Sequence, residues 1–160
     1  MNNLRVGNGF DAHAFAAGRD LILGGKKIDH QFGLQGHSDA DVLVHAVIDA
    51  LLGAAAMPDI GRLFPDTDPK YKGISSVALL GEVSGILTSL GIMIVNIDSV
   101  IICQEPKIAP HIDEMKKNIG MAARLDPSRI SIKGKTTEGL GFTGRQEGIA
   151  AYAVCLIEMR

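Results

Sequence analysis

The stretch HSDADVLVHAVIDALLGAAA (37–56) restricts the fold more than any other. Its apolar residues recur at helical spacing, and Ser38 stands where a cap belongs, with Asp41 three positions on as its capping-box partner. Pro58 and Gly61 close the unit. The spacing predicts one long helix, and the rest of the chain has to supply the surface it packs on.

The flanking segments supply strands and two further helices. LRVGNGF (4–10) reads as a short strand, and LILGGKKID (21–29) as a hairpin turning at Gly24-Gly25. SSVALLGEVSGILTSLG (75–91) is a second helix stopped at Gly91. PHIDEMKKNIGMAARL (110–125) is a third, with Pro110 at its first position and acids after it. IVNIDSVIICQ (94–104), RISIKGK (129–135) and GIAAYAVCLIEM (148–159) read as strands, and FPDTDP (64–69) as a polar loop. Strands and helices alternate after the opening hairpin, which is the pattern of an open sheet with helices packed on it.

A chain of 160 residues fits a single domain, here residues 1–160, with a core of its own. Hydrophobic residues make up 46% but aromatics only 4%, with no Trp, so that core is built from Ile, Leu, Val, Ala and Met. Nineteen glycines allow tight turns and close backbone approaches. A net charge of −2 offers no basic field for nucleic acid or an anionic membrane, and neither is expected as a partner. Cys103 and Cys155 lie in apolar, strand-like runs, the usage of reduced, buried thiols. No apolar run reaches membrane-spanning length and MNNLRVG lacks a signal-peptide layout, so a cytoplasmic location is expected. The mean hydropathy of +0.19 suggests that another subunit covers some apolar surface.

GFDAHAF (9–15) holds the first chemical candidates. Asp11 and His13 are two apart, so on a strand both reach the same ion or substrate. The pair suits zinc or a similar divalent metal; an Asp–His hydrogen bond on an edge strand fits the same pattern. Asp41, His45 and Asp49 form an i, i+4, i+8 polar stripe on the long helix. The stripe is either a solvated face or, through His45, the source of a third ligand beside Asp11 and His13. Three protein ligands with a fourth position open is the layout of a catalytic zinc. Phe10 and Phe15 would then anchor the strand so that both its ligands face one ion.

His37, beside Ser38, stands where a helix N-terminus can receive a phosphate; the alternative is that Ser38 is simply the cap and His37 an exposed loop residue. GLGFTG (139–144) matches a dinucleotide fingerprint, but only residues 145–160 follow it and they are strand-like, so that reading is rejected. Lys135, Thr136, Thr137, Glu138 and Arg145 flank this loop. Hydroxyls, amides and two cations suit a diphosphate, and Glu138 suits Mg²⁺; a Gly-rich hairpin with surface charges is the competing account. QEPKIAPH (104–111) is either a stiff loop whose amides read a base edge or a plain connector.

Five segments, in this order, resemble the 2-C-methyl-D-erythritol 2,4-cyclodiphosphate synthase family: GNGFDAHAF, GHSDADVLVHAVIDALLGAAA, DIGRLFPDTDPKYKG, QEPKIAPHI and KTTEGLGFTGRQEGIAAYAV. The resemblance covers nearly the whole chain. It implies a phosphorus–oxygen lyase of non-mevalonate isoprenoid (terpenoid) biosynthesis. Such an enzyme converts 4-diphosphocytidyl-2-C-methyl-D-erythritol 2-phosphate to 2-C-methyl-D-erythritol 2,4-cyclodiphosphate and CMP, the substrate's 2-phosphate attacking its β-phosphate.

By motif match the zinc ligands are Asp11, His13 and His45, the first two also meeting substrate, and Glu138 holds Mg²⁺ or Mn²⁺ bridging the diphosphate. His37 and Thr136 match the catalytic positions that align the phosphates and stabilise the transition state. Substrate-binding positions follow as His37 and Ser38; Asp59, Ile60 and Gly61; and Phe64, Pro65, Asp66, Thr67 and Asp68. Cys103, Gln104, Glu105, Pro106, Lys107, Ile108 and Ala109 match the cytidine pocket, and Lys135, Thr136, Thr137, Glu138, Phe142 and Arg145 the diphosphate loop. The resemblance further implies a homotrimer with active sites at subunit interfaces. Its fold is α+β: a mixed four-stranded sheet with helices on one face, plus a small N-terminal hairpin. Pro58, Lys135 and Asn8 depart from the commoner family residues.

Overall fold

The computed structural model describes residues 3–160. The first strand, β1 (Asn3–Ala16), runs well past the predicted segment and carries Asp11 and His13. β2 (Leu21–Leu23) and β3 (Lys26–Ile28) form the two-stranded hairpin, with Gly24 and Gly25 at φ of 58° and 69°, the region glycine tolerates. There follow β4 (Gly33–Leu34), α1 (Val42–Ala54), α2 (Ile60–Leu63), α3 (Ser76–Ser89), β5 (Ile92–Ile102), α4 (Ile112–Ala123), β6 (Ile130–Lys135), α5 (Gly141–Gly144) and β7 (Gly148–Met159).

The main sheet is mixed, in the order β4-β1-β7-β5-β6, and antiparallel except where β5 runs parallel to β6 after the crossover through α4. It has five strands rather than four. The extra one, β4, pairs two residues with the end of β1, too short a run to leave a periodic signal.

Glycine decides how α1 sits on this sheet. A Cβ on Gly7 would lie 2.0 Å from the Ala50 carbonyl oxygen, and one on Gly9 2.0 Å from that of Ala46. The helix therefore rests directly on the backbone of β1, its Ala46-Ala50-Ala54 stripe against two bare glycines. Around that contact Val44, Val47, Ile48, Leu51 and Leu52 join Ile97, Ile101, Ile149 and Ile157 in an aliphatic core. The opposite sheet face is open. Phe10 is 59% exposed there with its cross-strand partner Tyr152, near Val6 and Leu4. Phe10 is thus no anchor for Asp11 and His13; alternation turns it to the other side of the strand.

The cap of α1 also differs from the sequence expectation. Ala40 takes φ +57°, which breaks the helical path, and Asp41 becomes the N-cap. Its carboxylate accepts from Val44 N–H and from Gly24 and Gly25 N–H at 3.2, 2.9 and 2.6 Å, tying the helix start to the hairpin. Asp41 is fully buried, and burial pushes its carboxyl up to about 6 against the pull of those amides.

Candidate active site

Because α1 lies on β1, His45 on its first turn faces Asp11 and His13, which point from the strand to the helix side. Asp11 Oδ2 is 2.8 Å from His13 Nε2 and 3.0 Å from His45 Nδ1, and the two ring nitrogens are 3.2 Å apart. Among the described residues this is the cluster of metal-competent side chains. Burial alone would raise the Asp11 carboxyl, but the neighbouring His13 and His45 imidazoles outweigh it and hold it well below the usual carboxylate range. Burial likewise opposes charging His13, yet its hydrogen bond to Asp11 raises its pKa.

These distances test whether the residues fit a metal. Three ligands of a tetrahedral ion at about 2.0–2.1 Å stand roughly 3.3 Å from one another. The triangle here nearly matches. If both imidazoles instead aimed N–H at Asp11, two donors would face each other at 3.2 Å. A divalent cation suits this oxygen and these two nitrogens better than any set of protons.

The cluster opens into a cavity of about 220 Å³. His37 and Ser38 border it from the loop before α1, and Ile60, Gly61, Phe64 and Asp66 from the segment after it. Asp49 holds that segment in place by accepting the Ile60 N–H at 2.8 Å, and burial raises its carboxyl. The polar stripe of α1 thus divides: Asp41 caps, His45 joins the cluster, and Asp49 fastens a loop. Arg19 Nη1 donates to the Gly36 carbonyl at 2.7 Å, its other Nη to that of Ser38, and Gly73 N–H to that of His37. His37 Nε2 is buried without a hydrogen-bond partner. Asp59 caps α2 and Asp68 the short helical turn Pro69–Tyr71, while Pro65 and Thr67 are exposed nearby.

A second cleft of about 230 Å³ lies at the ends of β5 and β6. Cys103, Gln104, Pro106, Lys107, Ile108 and Ala109 line it with Lys135 and Thr136, while Glu105 is exposed beside it. Gln104 Oε1 is buried there without a partner, as His37 Nε2 is in the first cleft. Unpaired buried polar atoms in two clefts mark places where a ligand's own groups fit. Thr136 Oγ1 donates to Glu138 at 2.7 Å, and Glu138 takes φ +53° on the exposed loop. That loop is no hairpin. Gly139 and Gly141 adopt positive φ, and Gly144 packs so tightly on Gly139 that a Cβ would lie 2.3 Å from its carbonyl carbon. Phe142 is exposed, and Arg145 pairs with Glu147 through Nε at 2.7 Å.

The clefts share no lining residue. Asp11 pairs with Ala151, Ala151 with Ile101, and Ile101 with Gly134, so the two sites lie at one level of the sheet. Three strand spacings, about 14 Å, separate them.

The profile of the YgbB family matches residues 4–158. The chain belongs to that family. It is 56% identical over 155 residues to the 2-C-methyl-D-erythritol 2,4-cyclodiphosphate synthase of Syntrophomonas wolfei, covering 97% of this chain and 99% of that protein. It is 58% identical over 153 residues to the protein of the same name from Caldicellulosiruptor bescii, covering 96% and 98%. The IspF of Plasmodium falciparum, solved as a CDP complex, is 34% identical with a TM-score of 0.87, over 100% of this chain and 99% of that one. The bifunctional IspDF from Campylobacter jejuni gives a TM-score of 0.95 at 41% identity, and this chain spans 43% of its length.

Within this YgbB-family fold, the sequence reading missed the groups that hold the site's own residues in place. Asp39 and Ser76 stand behind His45, Arg19 behind His37, and Tyr71 and Ile74 line the cavity wall. None carries a local signature; Asp39 lies just ahead of His45 in sequence, and Ser76, Arg19, Tyr71 and Ile74 arrive from other segments through the tertiary fold.

Proposed function

We propose that this chain is a 2-C-methyl-D-erythritol 2,4-cyclodiphosphate synthase, a metal-dependent phosphorus–oxygen lyase of isoprenoid biosynthesis. The observation that carries the reading is the Asp11–His13–His45 triangle opening into a cavity bordered by an unpartnered His37. The substrate is 4-diphosphocytidyl-2-C-methyl-D-erythritol 2-phosphate. An oxygen of its 2-phosphate forms a bond to the β-phosphorus, the bond from that phosphorus to the oxygen bridging it to the α-phosphorus breaks, and CMP leaves with that oxygen. Positioning and charge neutralisation supply the catalysis in such a transfer.

Asp11, His13 and His45 would hold zinc, and Glu138 magnesium or manganese, together giving positive charge to the diphosphate oxygens. His37, steadied by the Arg19 and Gly73 contacts to its loop, presents Nε2 as a donor to a phosphate oxygen, with Ser38 beside it. Asp59 to Gly61 and Phe64 to Asp68 close around the erythritol phosphate. Cys103 to Ala109 take the cytidine, for which the Plasmodium CDP complex is support. Lys135 to Glu138, Phe142 and Arg145 take the diphosphate, with Thr136 donating to the transferring group.

The reading includes a homotrimer in which one subunit's second cleft meets its neighbour's metal cleft. Two observations support it: the separation of the clefts within one chain, and the open apolar face of Val6, Phe10 and Tyr152. Two free, buried thiols accord with a reducing, cytoplasmic setting. Incubating the protein with the substrate, Zn²⁺ and Mg²⁺ tests the activity. Phosphorus NMR should show the cyclic diphosphate with stoichiometric CMP; absence of CMP overturns the synthase reading, and a linear product makes the chain a phosphohydrolase.

A further inference from the structure

We infer that Asp39 and Ser76 form a relay that positions His45 as a metal ligand, by fixing which of its ring nitrogens carries the proton. The inference rests on the metal reading of the Asp11–His13–His45 cluster. His45 turns Nδ1 to that cluster, and its other nitrogen, Nε2, lies 2.9 Å from Ser76 Oγ. Ser76 Oγ in turn donates to Asp39 Oδ1. Asp39 is itself pinned, accepting from Ser76 N–H at 3.0 Å and Asp41 N–H at 3.2 Å.

Directionality follows from the donor inventory. A carboxylate only accepts, so the single Ser76 hydroxyl proton points to Asp39 and leaves Oγ as an acceptor toward His45. Nε2 must then carry the ring proton, and Nδ1 presents its lone pair to Asp11 and His13, where an ion needs it. Ser38 Oγ, 3.2 Å from Nε2 and already accepting Ala40 N–H, is a second and longer acceptor for the same proton. Ser76 is fully buried at the first position of α3. Its hydroxyl does not cap that helix; the Ser76 N–H is held by Asp39, a contact that survives loss of the side chain. Outer groups of this kind orient a ligating imidazole and raise its basicity.

Zinc affinity measured by competition with a chelating dye tests the relay, since it reads metal binding without turnover. Ser76→Ala is expected to weaken zinc binding about 10–100-fold, and Ser76→Thr, which keeps the hydroxyl, to stay within about threefold of the parent. Urea midpoints of the metal-stripped forms check that both variants fold. A Ser76→Ala affinity within about twofold of the parent overturns the relay while leaving the metal reading intact. A parent that binds no zinc overturns both. A measurement needing no variant stands beside these: nitrogen-15 NMR of the His45 ring in the metal-stripped parent. The Nε2–H tautomer is expected, and a dominant Nδ1–H tautomer overturns the relay.

Discussion

His37 and His45 border one cavity, and the proposed function gives them different tasks. Removing the His45 ring deletes one corner of the triangle and leaves Asp11 and His13 too few to hold an ion against water. His45→Ala is expected to lose stoichiometric zinc and at least about a hundredfold in turnover, checked by metal analysis and CMP release. His37 touches no corner of the triangle, so His37→Ala should keep zinc and lose about 10²–10³ in turnover, the cost of a missing transition-state donor. Cys155 carries a pH dependence instead. Burial pushes its thiol up to about 11 from 9.0, so the neutral form is the folded one. The stability it lends is fully present below pH 9 and lost as pH rises through about 11. Burial pushes the Cys103 thiol up to about 11 as well, so urea unfolding should show an alkaline decline that Cys155→Ala reduces by up to about 2 kcal/mol and does not abolish.

At the scale of elements, one contact decides whether the site exists: α1 lying on the glycines of β1. Gly9→Ala places a methyl carbon 2.0 Å from the Ala46 carbonyl oxygen, a backbone atom that cannot swing aside. The strand and helix must part, with a cost of about 3 kcal/mol or more by denaturant unfolding. Zinc affinity should fall too, since His45 adjoins Ala46. Asp41→Ala acts at the other end of this contact by leaving the buried Gly24 and Val44 amides unpaired and releasing that of Gly25. It should cost about 3 kcal/mol or more, and Asp41→Asn, which keeps an acceptor, clearly less.

Much of this scale was readable in the sequence. Period identifies α1, α3, α4, β5, β6 and β7, and the two-residue spacing of Asp11 and His13 identifies their shared face. The helix start at Asp41 was not, because a left-handed Ala40 and amides from the hairpin outweigh the local capping-box pattern at Ser38. Nor were β4 and the Asp39–Ser76 pair, which exist only once distant segments meet.

The whole molecule poses a problem that a single chain leaves unsolved. The metal cleft and the loop cleft stand on β1 and β6, with β7 and β5 between them. Under the proposed function, a cytidine diphosphate substrate, with its base at one end and its reacting phosphates toward the other, would occupy both clefts. A neighbouring subunit solves this if its loop cleft meets this chain's metal cleft, with the open Phe10–Tyr152 face turned toward the assembly. Mixing then discriminates between shared and self-contained sites. His45→Ala disables only the metal cleft and Thr136→Ala only the loop cleft, and each alone is expected to be nearly inactive. In trimers formed from equal amounts of the two, a site is whole when a Thr136→Ala chain supplies the metal cleft and a His45→Ala chain the loop cleft. Random assembly makes that combination in about one quarter of sites. Co-expressed variants should therefore recover about a quarter of the parental CMP release per site. Activity no higher than the sum of the separate variants would mean that each chain builds its site alone.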